Sequence, residues 1–263
     1  MFRMLKAPGM VSSAPMISLT EEEKLVQQTA RDFADKELKP IAGEIDRKGA
    51  IPREILQKMA ELGFMGVTTP EKYGGAGLSN LCLALIQMEI NRGCASTGVT
   101  MSVHNSLVQA PLLKYGTEEQ KKAYLPKLAQ GEWIGAYSLS EPVSGSDAGA
   151  LITSAKKEGD HYILNGAKNF VTNGGIADFF IVFIRTDTDK NVKHKAISAF
   201  IVKRGTEGFT VGPPEKKMGI RGSTTTTLFL DNCRIPAANL LGNEGEGFKV
   251  AMTTLDGGRI GIA

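Results

Sequence analysis

Two stretches rich in hydroxyl, amide and glycine residues are the parts of this sequence best suited to chemistry. Residues 137–147 begin as an alternating strand and continue into a turn rich in Gly, Ser and Pro. Residues 165–175 likewise combine strand-forming residues with Asn and Gly. Two strands that end in polar loops can direct backbone N–H groups and hydroxyls at one flat, polar ligand. The two stretches therefore predict a shared binding site.

The overall composition is that of an ordinary globular protein. Hydrophobic residues make up 42% of the 263 and charged residues 22%, which leaves apolar material for more than one core. The formal net charge is only +3, and basic residues are interleaved with acidic ones, so nucleic acid is not an expected partner. No apolar run is long enough to cross a bilayer, so no membrane association is expected.

The cysteines and histidines show no spacing typical of a metal site, and no metal is expected. Cys82, Cys94 and Cys233 lie far apart among apolar neighbours, which predicts reduced thiols in a cytoplasmic protein. The histidines form no cluster with acids or cysteines and receive no role; they are His104, His161 and His194.

Helical periodicity dominates residues 17–131, which predicts an N-terminal all-α domain. Two capping boxes mark helix starts, Thr20 with Glu23 and Thr117 with Gln120. Residues 81–90 are almost continuously apolar, so we expect a helix buried on most sides. Pro126 is expected to end the helix that begins after Thr117.

After Glu132 the pattern changes to short strands separated by turn residues. Strands are predicted at 134–139, 151–156, 161–164, 179–184, 196–202, 209–211 and 227–230. Asn165-Gly166 is one of the predicted turns. Because no helical period interrupts the strands, residues 132–240 predict a mostly antiparallel barrel or sandwich domain. No Gly-x-Gly-x-x-Gly follows a strand, which argues against the usual dinucleotide fold.

Helical periodicity returns at Gly245 and continues to Ala263, so residues 241–263 are expected to begin a further helical domain that the sequence truncates. Residues 1–16 contain basic residues and no acid. Either part of a mitochondrial presequence or a start assigned upstream of Met16 would explain them. The fold class is therefore α+β with several domains.

Taken together, the two polar stretches resemble the flavin-binding segments of the acyl-CoA dehydrogenases. Three further segments resemble that family in the same order: 217–223, 231–236 and 243–248. The resemblance implies an N-terminal helical domain, a middle β-domain and a C-terminal four-helix domain that enclose FAD and an acyl-CoA thioester. This chain resembles the first two domains and the opening of the third.

The resemblance implies FAD-binding positions at Tyr137, Leu139, Ser140, Gly145, Ser146, Phe170, Val171 and Thr172. Ser140 and the Leu139 main chain would face the flavin pyrimidine ring, and Thr172 would donate to flavin N5. Phe170 stands where the family usually has Trp, packed by the flavin ring. Taken alone, Ser140 could instead be a local backbone cap and Phe170 an ordinary core aromatic.

The implied acyl-CoA positions are Ser146, Asp256, Gly257, Gly258 and Arg259. Ser146 would lie between the cofactor pyrophosphate and the substrate. Asp256 would accept from the pantetheine amide, and Arg259 would meet CoA phosphate or adenine. The alternative for the last two is an Asp–Arg pair one turn apart on a helix surface.

No catalytic residue is named from this sequence. In the family, a Glu of the third domain removes the α-proton and the β-hydride passes to flavin N5, which gives a trans-2-enoyl-CoA. The resemblance places that Glu beyond Ala263. Glu141 next to Pro142 is tempting as a base, but its family counterpart shapes the turn, so its expected role is structural.

The motifs look closest to the short-chain and butyryl-CoA members. The implied partners are an electron-transfer flavoprotein as electron acceptor and further copies of the chain in a tetramer. Three alternatives remain open: an acyl-CoA oxidase, a related flavoenzyme of the same fold, or a non-catalytic flavin- or acyl-CoA-binding remnant if the chain is complete as written. The location would be mitochondrial rather than cytoplasmic if residues 1–16 belong to a presequence.

Overall fold

The computed structural model describes residues 18–187 and 194–263. The expectations for residues 1–16 lie outside these ranges. The helices are α1 (Glu21–Phe33), α2 (Ala42–Lys48), α3 (Arg53–Glu61), α4 (Asn80–Gly93), α5 (Ala95–Ser102), α6 (Ala110–Tyr115), α7 (Glu118–Ala129) and α8 (Gly247–Ile262), with π-helical turns at Ala34–Leu38 and Val103–Gln109. All but α8 precede the first strand.

Both capping boxes are confirmed. At the start of α1 the Thr20 hydroxyl accepts from the Glu23 N–H at 3.2 Å, and the Glu23 carboxylate accepts from the Thr20 N–H at 2.8 Å. Thr117 and Gln120 make the same reciprocal pair at the start of α7. These side chains satisfy N–H groups that the first helical turn leaves without partners.

The expectation that Pro126 ends its helix is wrong. Pro126 lies inside α7, which continues to Ala129. Proline removes one N–H donor, but its carbonyl remains an acceptor, and the Gln130 N–H donates to it at 3.0 Å. The helix therefore loses one hydrogen bond near its end and completes its last turn.

Helix α4 is buried along most of its length, as its apolar sequence predicts. Its packing against α1 includes a polar contact, because Glu89 accepts from Arg31 of α1 at 2.8 Å and from Arg92 at 2.9 Å. The Glu89 side chain is buried, so the two guanidinium groups supply the partners that a buried carboxylate needs.

The strands are β1 (Gly135–Ser138), β2 (Ser154–Glu158), β3 (His161–Thr172), β4 (Phe179–Arg185), β5 (Ile197–Lys203), β6 (Phe209–Pro214), β7 (Thr225–Pro236) and β8 (Leu240–Leu241). They form one sheet in the order β6-β7-β3-β2-β4-β5-β8, with β1 paired to β4. The predicted mostly antiparallel pairing is confirmed; the exceptions in the described sheet are β1 with β4 and one bridge between β2 and β4. The sheet does not close into a barrel.

Strand β4 is buried on both faces. Phe180, Val182 and Ile184 join a core with residues of β3, β5 and β7, whereas the alternate residues, Phe179, Ile181 and Phe183, join a core with the helices. This double burial explains why β4 is continuously apolar rather than alternating.

The three cysteines are free and buried.

The predicted turn at Asn165-Gly166 is wrong, because both residues lie inside β3. The pairing of β3 with β7 shifts register between Leu164 and Gly166, and Gly166 has φ 137°. A Cβ at Gly166 would lie 2.7 Å from the Thr153 hydroxyl. The glycine therefore marks a bulge and a close approach of chains rather than a hairpin end. Strand β3 continues beyond this bulge to Thr172.

The π-helical turn Val103–Gln109 is anchored by its buried polar side chains. Asn105 accepts from the Val67 N–H at 3.0 Å and donates to the Phe64 carbonyl at 3.0 Å. Gln109 donates to the Met65 carbonyl at 2.6 Å. These side chains thereby provide hydrogen-bond partners for main-chain groups of Phe64, Met65 and Val67, which lie outside the sheet.

His104 of the same turn joins a helix end to the first strand. Its Nε2 lies 2.9 Å from the Leu128 carbonyl, and its Nδ1 lies 3.0 Å from the Gly135 nitrogen. Since the Gly135 N–H must donate, Nδ1 is the acceptor and Nε2 carries the proton. Complete burial lowers the pKa of His104 to about 4.

No helix among residues 18–187 and 194–263 is long and apolar enough to cross a membrane.

We expect His104 to make the folded state sensitive to mild acid. An unfolded histidine has a pKa near 6.5, so below that pH the unfolded chain takes up a proton that the folded chain refuses until about pH 4. The free energy of unfolding should therefore fall between about pH 6.5 and pH 4, by on the order of 3 kcal/mol from this residue. Urea unfolding at several pH values measures it.

His104→Gln should be less stable at pH 7 but lose less stability on acidification than the parent protein. The matched control is His161→Gln, at a partly exposed position, which should retain the acid-induced fall. Equal losses in the parent and in His104→Gln would contradict the assignment.

Candidate functional site

The predicted cofactor positions meet at one cleft of about 360 Å³ between β1, β3, α8 and the π-helical turn. Its lining includes Tyr137, Leu139, Ser140, Gly145, Ser146, Phe170, Thr172 and Arg259. Val171 is the one predicted cofactor position whose side chain does not line the cleft, because it points into the β-sheet core. Only the Val171 main chain could serve a ligand.

The first wall of the cleft is the end of β1. The Tyr137 ring packs against Phe183 with ring centroids 4.9 Å apart, and its hydroxyl donates to the Ala251 carbonyl of α8 at 3.4 Å. Burial raises the pKa of Tyr137 well above its usual range, so it stays a neutral donor. Tyr137 thus joins the strand to the helix across the cleft.

The turn after β1 is closed by its own backbone. The Glu141 N–H donates to the Ser144 carbonyl at 2.8 Å, and the Ser144 N–H donates back at 3.2 Å. The Ser144 hydroxyl donates to the Asp147 carbonyl at 2.6 Å. These bonds hold Gly145 and Ser146 at the cleft.

Gly145 is not required by the packing of the chain. A Cβ at this position would meet no atom within 4 Å, and Gly145 is not among the residues with positive φ. Neither steric space nor backbone conformation in the described structure therefore demands glycine here. Close approach of a ligand to the main chain is the remaining physical reason.

The second wall is a bulge in β3 that exposes an aromatic ring. The pairing of β3 with β7 shifts again between Lys168 and Val171, and Phe170 in between has φ 56°. Its side chain is 69% exposed, so the alternative of an ordinary core aromatic is wrong. A left-handed, exposed phenylalanine is costly for folding and typical of a position shaped by function.

Three hydroxyls at the cleft have no partner within the described part of the chain. They belong to Ser140, Ser146 and Thr172. The local backbone cap considered for Ser140 is therefore not formed; instead its carbonyl accepts from the Asn169 N–H at 2.8 Å. Hydroxyls without partners in a cleft can bind the donors and acceptors of a polar ligand.

Beneath the cleft lies an ion pair that sequence analysis did not identify. Lys168 donates to Glu141 at 2.6 Å, and both side chains are 0% exposed. Burial lowers the pKa of Lys168 to about 8. Burial alone would raise the pKa of Glu141, but the Lys168 charge and the N–H donors of Ile152 and Thr153 lower it below its usual value. Both groups are therefore charged at neutral pH, and Glu141 has the structural surroundings expected of it.

The four residues predicted for substrate on α8 do not share one environment. Arg259 lines the cleft, whereas Gly257 lines a second cavity of about 180 Å³ between α4, α6 and α8. Gly258 packs so closely on Leu107 that a Cβ would lie 2.5 Å from it. Asp256 lines neither cavity and lies 3.8 Å from Arg259 across one helical turn, which is the surface pair considered as the alternative.

Apart from Asn169, the remaining lining of the cleft is apolar, and sequence analysis did not predict it as part of the site. Val103 and Leu107 come from the π-helical turn, and Met252 and Leu255 come from α8. Their types are typical of any core, so only the helix packing reveals them. Among the described residues no group of three or more His, Cys, Asp and Glu side chains could hold a metal.

Two family models match the chain. The model described as "Acyl-CoA dehydrogenase, N-terminal domain" matches residues 20–132, and the model described as "Acyl-CoA dehydrogenase, middle domain" matches residues 136–233. The short-chain specific acyl-CoA dehydrogenase of Clostridium acetobutylicum is 50% identical over 94% of this chain and 64% of its own length. The mitochondrial short-chain specific acyl-CoA dehydrogenase of Homo sapiens is 49% identical over 94% of this chain and 60% of its own.

Solved structures give the same match. Butyryl-CoA dehydrogenase from Megasphaera elsdenii superposes with a TM-score of 0.89 at 43% identity, over 93% of this chain and 64% of that one. A chain in a structure described as the electron transferring flavoprotein of Acidaminococcus fermentans has a TM-score of 0.90 at 46% identity, over 94% and 64%. Acyl-CoA dehydrogenase complexed with FAD from Bacillus anthracis has 0.86 at 38%, over 93% and 43%. The chain thus spans less than two thirds of these relatives.

Phe170 should be dispensable for folding. Phe170→Gly removes an exposed ring and relieves a left-handed backbone that costs a non-glycine residue about 1–2 kcal/mol, while the added chain entropy costs about 0.5–1 kcal/mol. The free energy of unfolding should therefore change by less than about 1 kcal/mol. Denaturant titration measures it.

The control is Phe200→Ala at a fully buried ring, which should cost roughly 3–5 kcal/mol. A comparable loss in Phe170→Gly would mean that the ring serves the fold rather than a ligand.

Proposed function

This chain belongs to the acyl-CoA dehydrogenase family, and we propose that the protein it forms or is part of binds FAD and oxidises acyl-CoA thioesters to trans-2-enoyl-CoA at the cleft between β1, β3 and α8. One observation carries the proposal. The unpartnered Ser140 and Thr172 hydroxyls and the strained, exposed Phe170 ring face the same cleft, and these are positions that the family resemblance gives to the flavin.

The donor set of the cleft fits an isoalloxazine ring. Such a ring needs hydrogen-bond partners along one edge and at N5, and a flat apolar surface against its face. Ser140 would serve the pyrimidine edge, Thr172 would serve N5, and Phe170 would lie against the ring. Gly145 leaves the main chain open to phosphate oxygens, as a pyrophosphate requires.

The role of the protein is to bind, orient and exclude water. Bound FAD would supply the acceptor for the hydride of the substrate β-carbon, and Ser140, Thr172 and Phe170 would hold its ring. Hydroxyl and N–H donors at the pyrimidine edge stabilise negative charge that develops there. The apolar lining from Val103, Leu107 and Leu255 keeps water from the reacting carbons.

Arg259 is free to meet the nucleotide part of CoA. Its pairing with Asp256 spans 3.8 Å between side chains that are both more than three quarters exposed. Exposed pairs of this kind contribute little, so a phosphate group could displace the carboxylate. Ser146 at the rim would contact both cofactor and substrate. A short acyl chain is proposed from the similarity to short-chain and butyryl-CoA dehydrogenases.

The general base would come from outside these residues. None of the residues that line the cleft in the described structure is Asp or Glu. The Glu141 carboxylate beneath the cleft is held by Lys168 and is not available to take a proton. We therefore propose that the base belongs to a part of the protein that corresponds to the region of the relatives outside the match.

The proposed electron acceptor is an electron-transfer flavoprotein, and the proposed assembly is a homotetramer. The similarity to a chain of the Acidaminococcus structure supports the first. We further propose a reducing compartment, the cytoplasm or the mitochondrial matrix, because the three cysteines are buried and free.

Thr172→Ala tests the flavin assignment. The purified full-length protein should be yellow with non-covalent FAD, and adding butyryl-CoA should bleach the flavin absorbance. In Thr172→Ala the rate of bleaching should fall roughly tenfold to a hundredfold, with a smaller loss of FAD affinity, because the hydrogen bond strengthens as N5 accepts hydride. Thr172→Ser keeps the hydroxyl and should retain most of the rate. An unchanged rate in Thr172→Ala would sink the assignment.

Gly145→Ala tests the pyrophosphate contact. Since a Cβ at this position meets no protein atom, stability should change by less than about 0.5 kcal/mol, whereas FAD or acyl-CoA affinity should fall at least about tenfold. The matched control is Gly219→Ala, where a Cβ also meets nothing and the residue lies away from the cleft. Equal affinities in both variants would show that no ligand approaches Gly145.

A further inference from the structure

We propose that Lys168 is a positioning residue that holds the two cofactor-facing segments together and polarises the Leu139–Ser140 peptide toward the flavin. The proposal rests on FAD binding at the cleft. Lys168 belongs to the second polar stretch, but its side chain is fully buried and does not line the cleft itself.

One ammonium joins segments that are distant in sequence. Its Nζ donates to Glu141 at 2.6 Å and to the Leu139 carbonyl at 3.3 Å. The Glu141 carboxylate in turn accepts from the Ile152 N–H at 2.7 Å and the Thr153 N–H at 3.2 Å. The turn after β1, the approach to β2 and strand β3 therefore share a single charged centre.

The position of Lys168 along β3 connects this centre to the second wall. Lys168 pairs with Leu228 and is the last paired residue before the bulge that ends at Val171. The next residue, Asn169, donates its N–H to the Ser140 carbonyl at 2.8 Å. Phe170 follows with its left-handed backbone. A displacement of Lys168 would therefore move both the turn and the bulge.

Net stability is a weak reason to retain this pair. Two fully desolvated charges cost several kcal/mol each, and well-packed apolar residues of similar volume often replace them without loss. An ammonium, however, has directed donors that can satisfy two acceptors from different residues at once. The pair fixes the positions of Leu139 and Glu141 relative to β3, which an apolar replacement would not do.

The bond to the Leu139 carbonyl also has an electrostatic consequence. In a trans peptide the C=O and N–H point in opposite directions, so the Ser140 N–H points away from Lys168. A cation at the carbonyl end withdraws electrons through the peptide and strengthens the donor at the other end. Lys168 should thereby stabilise the reduced flavin more than the oxidised flavin.

The test compares the affinities of the purified protein for oxidised and reduced FAD. In Lys168→Met we expect the ratio of the two affinities to shift about tenfold against reduced FAD, which is about 30 mV more negative for a two-electron couple. The matched control is Lys156→Met, whose side chain is 80% exposed on β2, and its ratio should not change. Lys168→Arg keeps the charge and should recover part of the shift.

A second variant separates positioning from folding. Lys168→Met combined with Glu141→Gln leaves no isolated buried charge and keeps an acceptor for the Ile152 N–H, so it should regain thermal stability while retaining the shifted ratio. An unshifted ratio in this double variant would reduce Lys168 to a structural ion pair and overturn the inference. If the unsubstituted protein bound no FAD at all, both the proposed function and this inference would be contradicted. That result differs from an unshifted ratio, which would contradict the inference alone.

Discussion

The double burial of β4 is the constraint on which the rest of the structure depends. With one face against β3, β5 and β7 and the other against the helices, this strand must be apolar throughout, and it fixes the distance between the two layers. Because β1 pairs in parallel with β4, the end of β1 comes out at the seam between sheet and helices. The cleft lies at that seam, so its location follows from packing before any ligand is considered.

Local side-chain chemistry was predictable from the sequence, whereas long-range pairing was not. Thr20 and Glu23 predict a helix start from four consecutive residues, because the capping box contains both the donors and the acceptors of its hydrogen bonds. Asn165-Gly166 was misread as a turn, since bulges and hairpins use the same permissive residues. The parallel pairing of β1 with β4 joins strands more than forty positions apart, and no local signal reports it.

The candidate site shows the same division. Hydroxyls and glycines in the two polar stretches could be assigned because their types suit a polar ligand and their order resembles a known family. Lys168 was missed because its role arises from a contact with Glu141 across 27 positions. Val103 and Leu107 were missed because apolar residues in a helix predict burial without saying what they face. Phe170 differs again: its sequence allowed two environments, and only its backbone angle and exposure distinguish them.

In the π-helical turn Val103–Gln109, the residues that anchor the segment differ from the residues that shape the cleft. Three of its polar residues, His104, Asn105 and Gln109, bind main-chain groups outside the turn, so they determine where this segment lies. Two of its apolar residues, Val103 and Leu107, face the cleft, and their side chains make none of those bonds. The contour of the binding surface can therefore be redrawn by substitution at two positions while the segment stays anchored, which makes this turn a natural place for ligand preference to diverge among otherwise similar proteins.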